Sequence, residues 1–312
     1  MKLIIVEGIP GSGKSTTARF IALQLERNGL KAKLFHESTF QHPILIENDI
    51  NHPDTWRNTY FQNWNHFLEE QMDSDSIFVM ESVLFQSPII HLLHMDVSQN
   101  EIVQFINQLY GVLTKVNCNL IYLYQEDPLI GINRMMAARG GETWLENTYE
   151  KYKHEPYYIN RGQAGKELHL HFLQEYSSIG HTAFANHRLD SLQIDNTNWD
   201  WSLYHKRVLN FLNISYFPDP TVTPSELEKF VGVFQNEEMG LKIQIELQDH
   251  ELVIFGDQRL KPKESNQFYL DNISMTLEYI ADSRGEFSSL LIKEKDLVGN
   301  RKDEGTRFAK LQ

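Results

Sequence analysis

Residues 8–16 read Gly8-Ile9-Pro10-Gly11-Ser12-Gly13-Lys14-Ser15-Thr16, and Gly8 to Ser15 fit the G-x-x-x-x-G-K-[ST] pattern of a phosphate-binding (Walker A) loop. Glycines let such a loop wrap closely with successive backbone N–H groups pointing inward, and the N-terminus of a following helix adds partial positive charge. Lys14 would reach the β- and γ-phosphates of a bound nucleotide and neutralise charge as a phosphoryl group moves. The Ser15 hydroxyl would complete the coordination of Mg2+, and Thr16 would contact the α-phosphate. A glycine-rich turn that merely joined a strand to a helix would not need that lysine.

Two carboxylates and two arginines could act with this loop. Glu37-Ser38 and Glu81-Ser82 each follow a short apolar run, which places both acids at the C-terminal ends of parallel strands, the edge where open α/β sheets bind ligands. One carboxylate there can take a proton from an attacking hydroxyl, and the other can hold Mg2+ directly or through water. The alternative for both is a solvated loop acid. Further along, Asp127-Pro128 opens a helical stretch that carries Arg134 and ends at Arg139-Gly140-Gly141. Two arginines near the end of a helix with a glycine hinge suit a lid that closes over phosphates and excludes water, or else two solvated helix charges.

The elements that must hold these groups alternate. Leu3 to Val6, Lys33 to His36, Ile77 to Met80, Leu120 to Leu123 and Leu192 to Asp195 have the length and apolarity of buried strands. Thr17 to Arg27, Trp56 to Met72, Glu101 to Thr114, Asp127 to Ala138 and Trp199 to Leu212 repeat apolar residues at helical spacing. The expected fold class is α/β, a P-loop doubly wound parallel sheet with helices on both faces, over residues 1–217. An insertion at about 140–190 is rich in Tyr, Trp and His. Its His169 and His171 alternate with Leu168, Leu170 and Phe172, as in a strand, without a convincing metal-ligand spacing. Proline-dense residues 218–224 read as a linker. Residues 225–312 show a short helical lead-in, then strand-like runs at 241–247, 252–255, 268–270, 275–280 and 288–292, and a weakly structured charged tail from Lys293 to Lys310.

On these motifs residues 1 to about 215 resemble the nucleoside and nucleotide kinase group of P-loop proteins, in particular its thymidylate kinase and deoxynucleoside kinase branch. The Gly8–Thr16 loop, Glu37 after the second strand, Glu81-Ser82 after the third, Asp127-Pro128 with Arg134 and Arg139, and Leu192-Gln193-Ile194-Asp195-Asn196-Thr197 before the last helix carry the likeness. It implies ATP- and Mg2+-dependent phosphorylation of a small-molecule acceptor, with Glu37 as base, Glu81 on the magnesium side, and Arg134 and Arg139 in the lid. Where the branch has an arginine directly after the third-strand acid, this chain has Ser82-Val83, so the acceptor is left open. Arg57 is the best substitute cation. Trp56, Tyr60 and Trp64 share one helix face, and the resemblance puts that region against the acceptor, although such a stripe also suits a core.

Residues 224 to 293 resemble the small lipocalin-like β-barrel domain appended to β-lactamase-like hydrolases, on Leu227-Glu228-Lys229-Phe230-Val231-Gly232-Val233-Phe234, Leu241 to Glu246, Glu251 to Ile254 and Leu260-Lys261-Pro262. The likeness implies a closed or nearly closed antiparallel barrel. Its role stays open between binding a ligand, capping the first domain and forming a homodimer.

Composition narrows the classes of function. The 312 residues carry 29 Lys plus Arg against 42 Asp plus Glu, a net charge of −13, which repels polyanions and makes nucleic acid a poor partner. The single cysteine, Cys118, cannot pair within the chain, and Leu3 to Val6 is too short for a secretory h-region, so a cytoplasmic protein is expected. No run approaches the roughly 18 apolar residues that span a bilayer. An Asn-Lys-x-Asp guanine signature is absent, which favours ATP over GTP. The competing expectation is a nucleotide-dependent switch or binding module without acceptor chemistry.

Overall fold

The computed structural model describes residues 1–39, 41–162, 165–270, 275–293 and 305–311. They form two compact units, Met1–Glu37 with His42–Ser215, and Ser38–Gln41 with Tyr216–Gln312.

In the first unit the chain runs β1 (Lys2–Gly8), α1 (Lys14–Arg27), β2 (Ala32–Phe35), α2 (Pro53–Gln71), β3 (Ile77–Glu81), α3 (Gln86–His94), α4 (Gln99–Leu113) and β4 (Asn117–Tyr124). It continues through α5 (Pro128–Ala138), α6 (Glu142–Tyr152), α7 (Pro156–Asn160), α8 (Lys166–Ala185), β5 (Asp190–Asp195) and α9 (Trp201–Leu212). The five strands form one parallel sheet in the order β2-β3-β1-β4-β5. Strand periodicity sorts its core into two layers. Leu3, Ile5, Phe78, Met80, Leu120 and Tyr122 face α2, α3, α4 and α8. Ile4, Val6, Val79, Ile121, Leu123 and Ile194 face α1 and α9. Helices therefore cover both faces, as a parallel sheet buried on both sides requires. The order puts β1, and the phosphate loop after it, in the middle, with Val6 paired to Glu81 on one side and to Ile121 on the other.

The segment around His169 is not a strand. It lies in the 20-residue helix α8, whose buried Leu168, Phe172, Leu173, Tyr176, Ile179 and Ala183 recur three and four apart. The local alternation of His and Leu was too short to reveal that longer period. Helix α3, with Pro88 inside a short apolar run, was also not anticipated.

His94, at the end of α3, is packed among the rings of Tyr152, Tyr158 and Phe172. Its Nε2 finds no hydrogen-bond partner among the described residues. Burial pushes its pKa down from 6.5 to about 3, and does the same to His42. Both rings are neutral when folded and titrate near 6.5 when unfolded, so the unfolded chain binds more protons between those values. The stability they contribute is complete above about pH 6.5 and is lost progressively as pH falls toward about 3. Thermal unfolding from pH 7.5 to pH 5 should show a falling Tm, and His94→Phe, which fits the aromatic cluster, should flatten that slope.

Residues 214–223 carry no regular element. In the second unit Thr223 and Glu226 form a capping box that starts α10 (Pro224–Leu227), followed by a 3-10 turn at Glu228–Phe230. Eight strands follow, β6 (Gly232–Asn236), β7 (Leu241–Gln248), β8 (Glu251–Ile254), β9 (Gln258–Glu264), β10 (Gln267–Tyr269), β11 (Thr276–Ala281), β12 (Phe287–Lys293) and β13 (Thr306–Lys310). Each pairs antiparallel with the next, and β13 closes on β6. The barrel is thus closed and up-and-down, which removes sheet edges. Its inward residues, among them Phe234, Ile245, Ile254, Phe268, Leu277, Tyr279, Leu290 and Phe308, are packed into one core.

Strands β6, β9 and β13 were missed in sequence because few of their residues are apolar and inward, only Leu260 in β9 being buried. The tail expected to be weakly structured contains β13, and residues 294–304 lie outside the described residues.

Candidate active site

Strand β1 stays buried to its end at Glu7 and Gly8, and the chain then turns through residues 9–13 into α1. Helix α1 begins after Gly13 in a left-handed conformation with no side chain capping its first turn. That leaves the N–H groups of the first turn for an anion. Lys14 is 6% exposed, and its ammonium donates to the Ile9 carbonyl at 3.2 Å, so it lies back across the loop.

Neighbouring elements hold the loop by its carbonyls. The Tyr176 hydroxyl of α8 donates to Gly8 O at 2.9 Å. The Asn196 carboxamide, just past β5, donates to Ser12 O and accepts from Gln125. Within the loop, the Ser12 N–H donates to Ile9 O at 3.1 Å. Gly13 has φ +87°, and a Cβ there would meet the Trp201 ring at 2.1 Å. Gly13→Ala should therefore lower stability by about 1–3 kcal/mol from the left-handed strain and the overlap, and should weaken nucleotide binding. Chemical denaturation together with titration of a fluorescent ATP analogue would measure both effects.

The two expected carboxylates meet at the same sheet edge. Glu81, the last residue of β3, has no exposed surface. Its Oε1 accepts the backbone N–H of Glu37 at 3.0 Å and lies 3.2 Å from His36 Nε2, while its Oε2 accepts from the Ser82 hydroxyl. Glu37 is exposed, and its Oε2 accepts from the Gln86 carboxamide. A buried, multiply bonded acid stands beside an accessible one, an arrangement that can separate an ion-holding role from a proton-accepting one.

The other expected residues have partners of their own. Arg134 donates to the carbonyls of Asn196 and Thr197 and lies over the Trp199 ring at 4.8 Å, so it braces the turn after β5. Arg139 ends α5 over the Trp144 ring at 5.4 Å. Trp56, Tyr60 and Trp64 were expected to offer a wall to an acceptor, but they are 1%, 0% and 0% exposed. Trp56 stacks on Tyr60 and His91, and the Tyr60 hydroxyl donates to Val83 O at 2.5 Å. They support the Glu81–Val83 turn from behind and present no face to a ligand in this structure, because a stripe of large apolar rings on α2 is drawn into the core against Phe105. Arg57 pairs with Asp54 at 2.7 Å.

Sequence reasoning assigned no role to Glu7, His36, Gln86, Asn196 or Trp201. Two left a signal: Glu7, a carboxylate at the end of an apolar strand directly before the loop, and Asn196, within the Leu192–Thr197 run. The other three are joined to the site by tertiary contacts.

Mg2+ bound with a nucleotide needs only one or two protein oxygens besides the phosphates. The Ser15 hydroxyl and the Glu81 carboxylate are hard oxygen donors of that kind, and among the described residues no three His, Cys, Asp or Glu side chains form a metal cage.

No family model and no curated protein sequence matches the chain. Among solved structures it is similar to the YorR protein of Bacillus subtilis in complex with phosphorylated GDP, at 15% identity and a TM-score of 0.38 over 68% of this chain and 96% of that one. It is also similar to deoxyadenosine kinase from M. mycoides. The form with bound dATP gives 16% identity and a TM-score of 0.38 over 68% of this chain and 100% of that one. The form with bound dCTP gives 19% and 0.34 over 68% and 98%. The α/β architecture described above rests on this chain's own strand order and not on these likenesses. Among the described residues, no helix is long and apolar enough to cross a membrane.

Proposed function

We propose that the first unit is an ATP- and Mg2+-dependent kinase that transfers the γ-phosphoryl group to a hydroxyl or phosphate of a nucleoside, nucleotide or other small metabolite. The single observation that carries this is the meeting, at one sheet edge, of a phosphate loop with a buried lysine and two linked carboxylates of unequal exposure. A module that only bound nucleotide would need the loop but not an accessible second acid beside it.

Lys14 and the N–H groups of the loop bind the phosphates and stabilise charge on the transferring group. Ser15 and Glu81 would hold the magnesium, which neutralises phosphate charge when bound. Glu37 takes the proton of the acceptor hydroxyl. Arg134, braced on the turn after β5, and Arg139 at the α5–α6 turn are the candidates to close over the phosphates.

A thermal-shift panel tests acceptor recognition. With a non-hydrolysable ATP analogue and Mg2+ present, one class among nucleosides, nucleotides, sugars and other hydroxylated metabolites should raise Tm further. Stabilisation by the nucleotide alone, with no added effect from any acceptor class, would favour a nucleotide-dependent switch.

A further inference from the structure

Strand β1 ends in a fully buried carboxylate. Glu7 has 0% exposure and accepts the backbone N–H of Leu84 at 2.5 Å and of Gln86 at 3.3 Å. Those donors flank Phe85, the N-cap of α3, which brings no capping side chain of its own. A strand far away in sequence therefore caps this helix. An apolar residue would pack at the end of β1 without the several kcal/mol that burying a charge costs before it is paired and hydrogen-bonded. Desolvation raises the Glu7 pKa to about 7, against the pull of the N–H groups of residues 84–86 and of the Lys14 charge.

What Glu7 holds bears on the site. Gln86, whose N–H it accepts, donates its side chain to Glu37. The turn between Glu81 and Leu84 contains Ser82 at φ +66°, a left-handed conformation unusual for serine. The Ser82 N–H donates to Val6 O at 3.3 Å, and its carbonyl accepts from Ser87 N at 3.0 Å. A turn of this kind persists only where its surroundings over-determine it.

We propose that Glu7 is a positioning residue: by capping α3 from the strand that feeds the phosphate loop, it fixes Gln86 against Glu37 and the turn after Glu81, and so sets both carboxylates relative to the phosphates. Its effect on turnover rests on the kinase reading above, whereas its hold on α3 does not.

The test uses the full chain and has two arms. Hydrogen–deuterium exchange should become faster in peptides covering residues 82–90 of Glu7→Gln, with protection of residues 14–27 unchanged. Turnover is measured with Mg-ATP and a mixture of deoxynucleosides, sugars and nucleotides. There Glu7→Gln should lower kcat by about 10- to 100-fold, as expected of misplaced groups, while KM for ATP stays within about twofold. Gln86→Met removes the bond to Glu37 but leaves the cap in place. It should lower kcat similarly with wild-type exchange at 82–90, a result that a merely structural role for Glu7 does not give.

Unchanged exchange at 82–90 in Glu7→Gln would overturn the proposal. So would wild-type kcat in Gln86→Met, which also decides the matter if Glu7→Gln does not fold. If Lys14→Ala itself left turnover intact, the kinase reading would fall, and the exchange arm would still decide whether Glu7 holds α3.

Discussion

Lys14→Ala is expected to abolish phosphoryl transfer while leaving the first unit folded. The side chain is almost fully buried, and its ammonium donates to a carbonyl of its own loop at 3.2 Å. The apolar core is packed without it: Leu3, Ile4, Ile5 and Val6 are held at 0% exposure by the sheet and the helices on both faces. Its charge lowers the pKa of the buried Glu7 carboxyl against desolvation and would act most strongly on negative charge that arrives in the loop. Losing a preorganised donor from a transition state typically lowers the rate by about 10²–10³-fold. Lys14 should lie at or beyond the upper end because it carries a full charge. Circular dichroism and thermal unfolding should match the wild type within a few degrees, and initial rates should be at background. Undiminished turnover would remove the loop from the chemistry.

Glu37→Gln should be the second largest effect. Gln preserves shape and can still meet Gln86, but it cannot accept a proton, so turnover should fall by about 10²–10⁴-fold, the range for a general base. ATP affinity, measured by titration in Mg2+, should barely change, since Glu81 and not Glu37 carries the buried, multiply bonded carboxylate. A fall in ATP affinity with turnover little changed would move Glu37 to the magnesium side.

Those two residues were legible in the sequence because local patterns name them. The lysine stands at a fixed spacing from glycines, and each acid directly follows an apolar strand. The sheet was legible for the same reason, since short apolar runs alternate with helical spacing, and all five strands fall where those runs lie.

Other features depended on distant segments. Whether Trp56, Tyr60 and Trp64 faced a ligand or a core was open on α2 alone; His91 and Phe105, from two other helices, close over them. Arg134 was read as a lid residue, and its attachment to Asn196 and Thr197 depends on β4 and β5 being neighbours. In the barrel, hairpins with two apolar inward residues per strand could be read, whereas β9 and β13 gain their identity from pairing. Glu7 drew no reading from the sequence, and its partners 77 and 79 residues away come only with the fold.

The central claim is that the phosphate loop and the paired carboxylates move a phosphoryl group to a small acceptor. Its most direct test is incubation of the purified protein with γ-labelled ATP, Mg2+ and a pooled extract of small metabolites, alongside Lys14→Ala, with products resolved by mass. A labelled small molecule formed by the wild type and absent with Lys14→Ala is the expected result, and its mass identifies the acceptor. Label recovered only as free phosphate, or only as ATP, would contradict the claim.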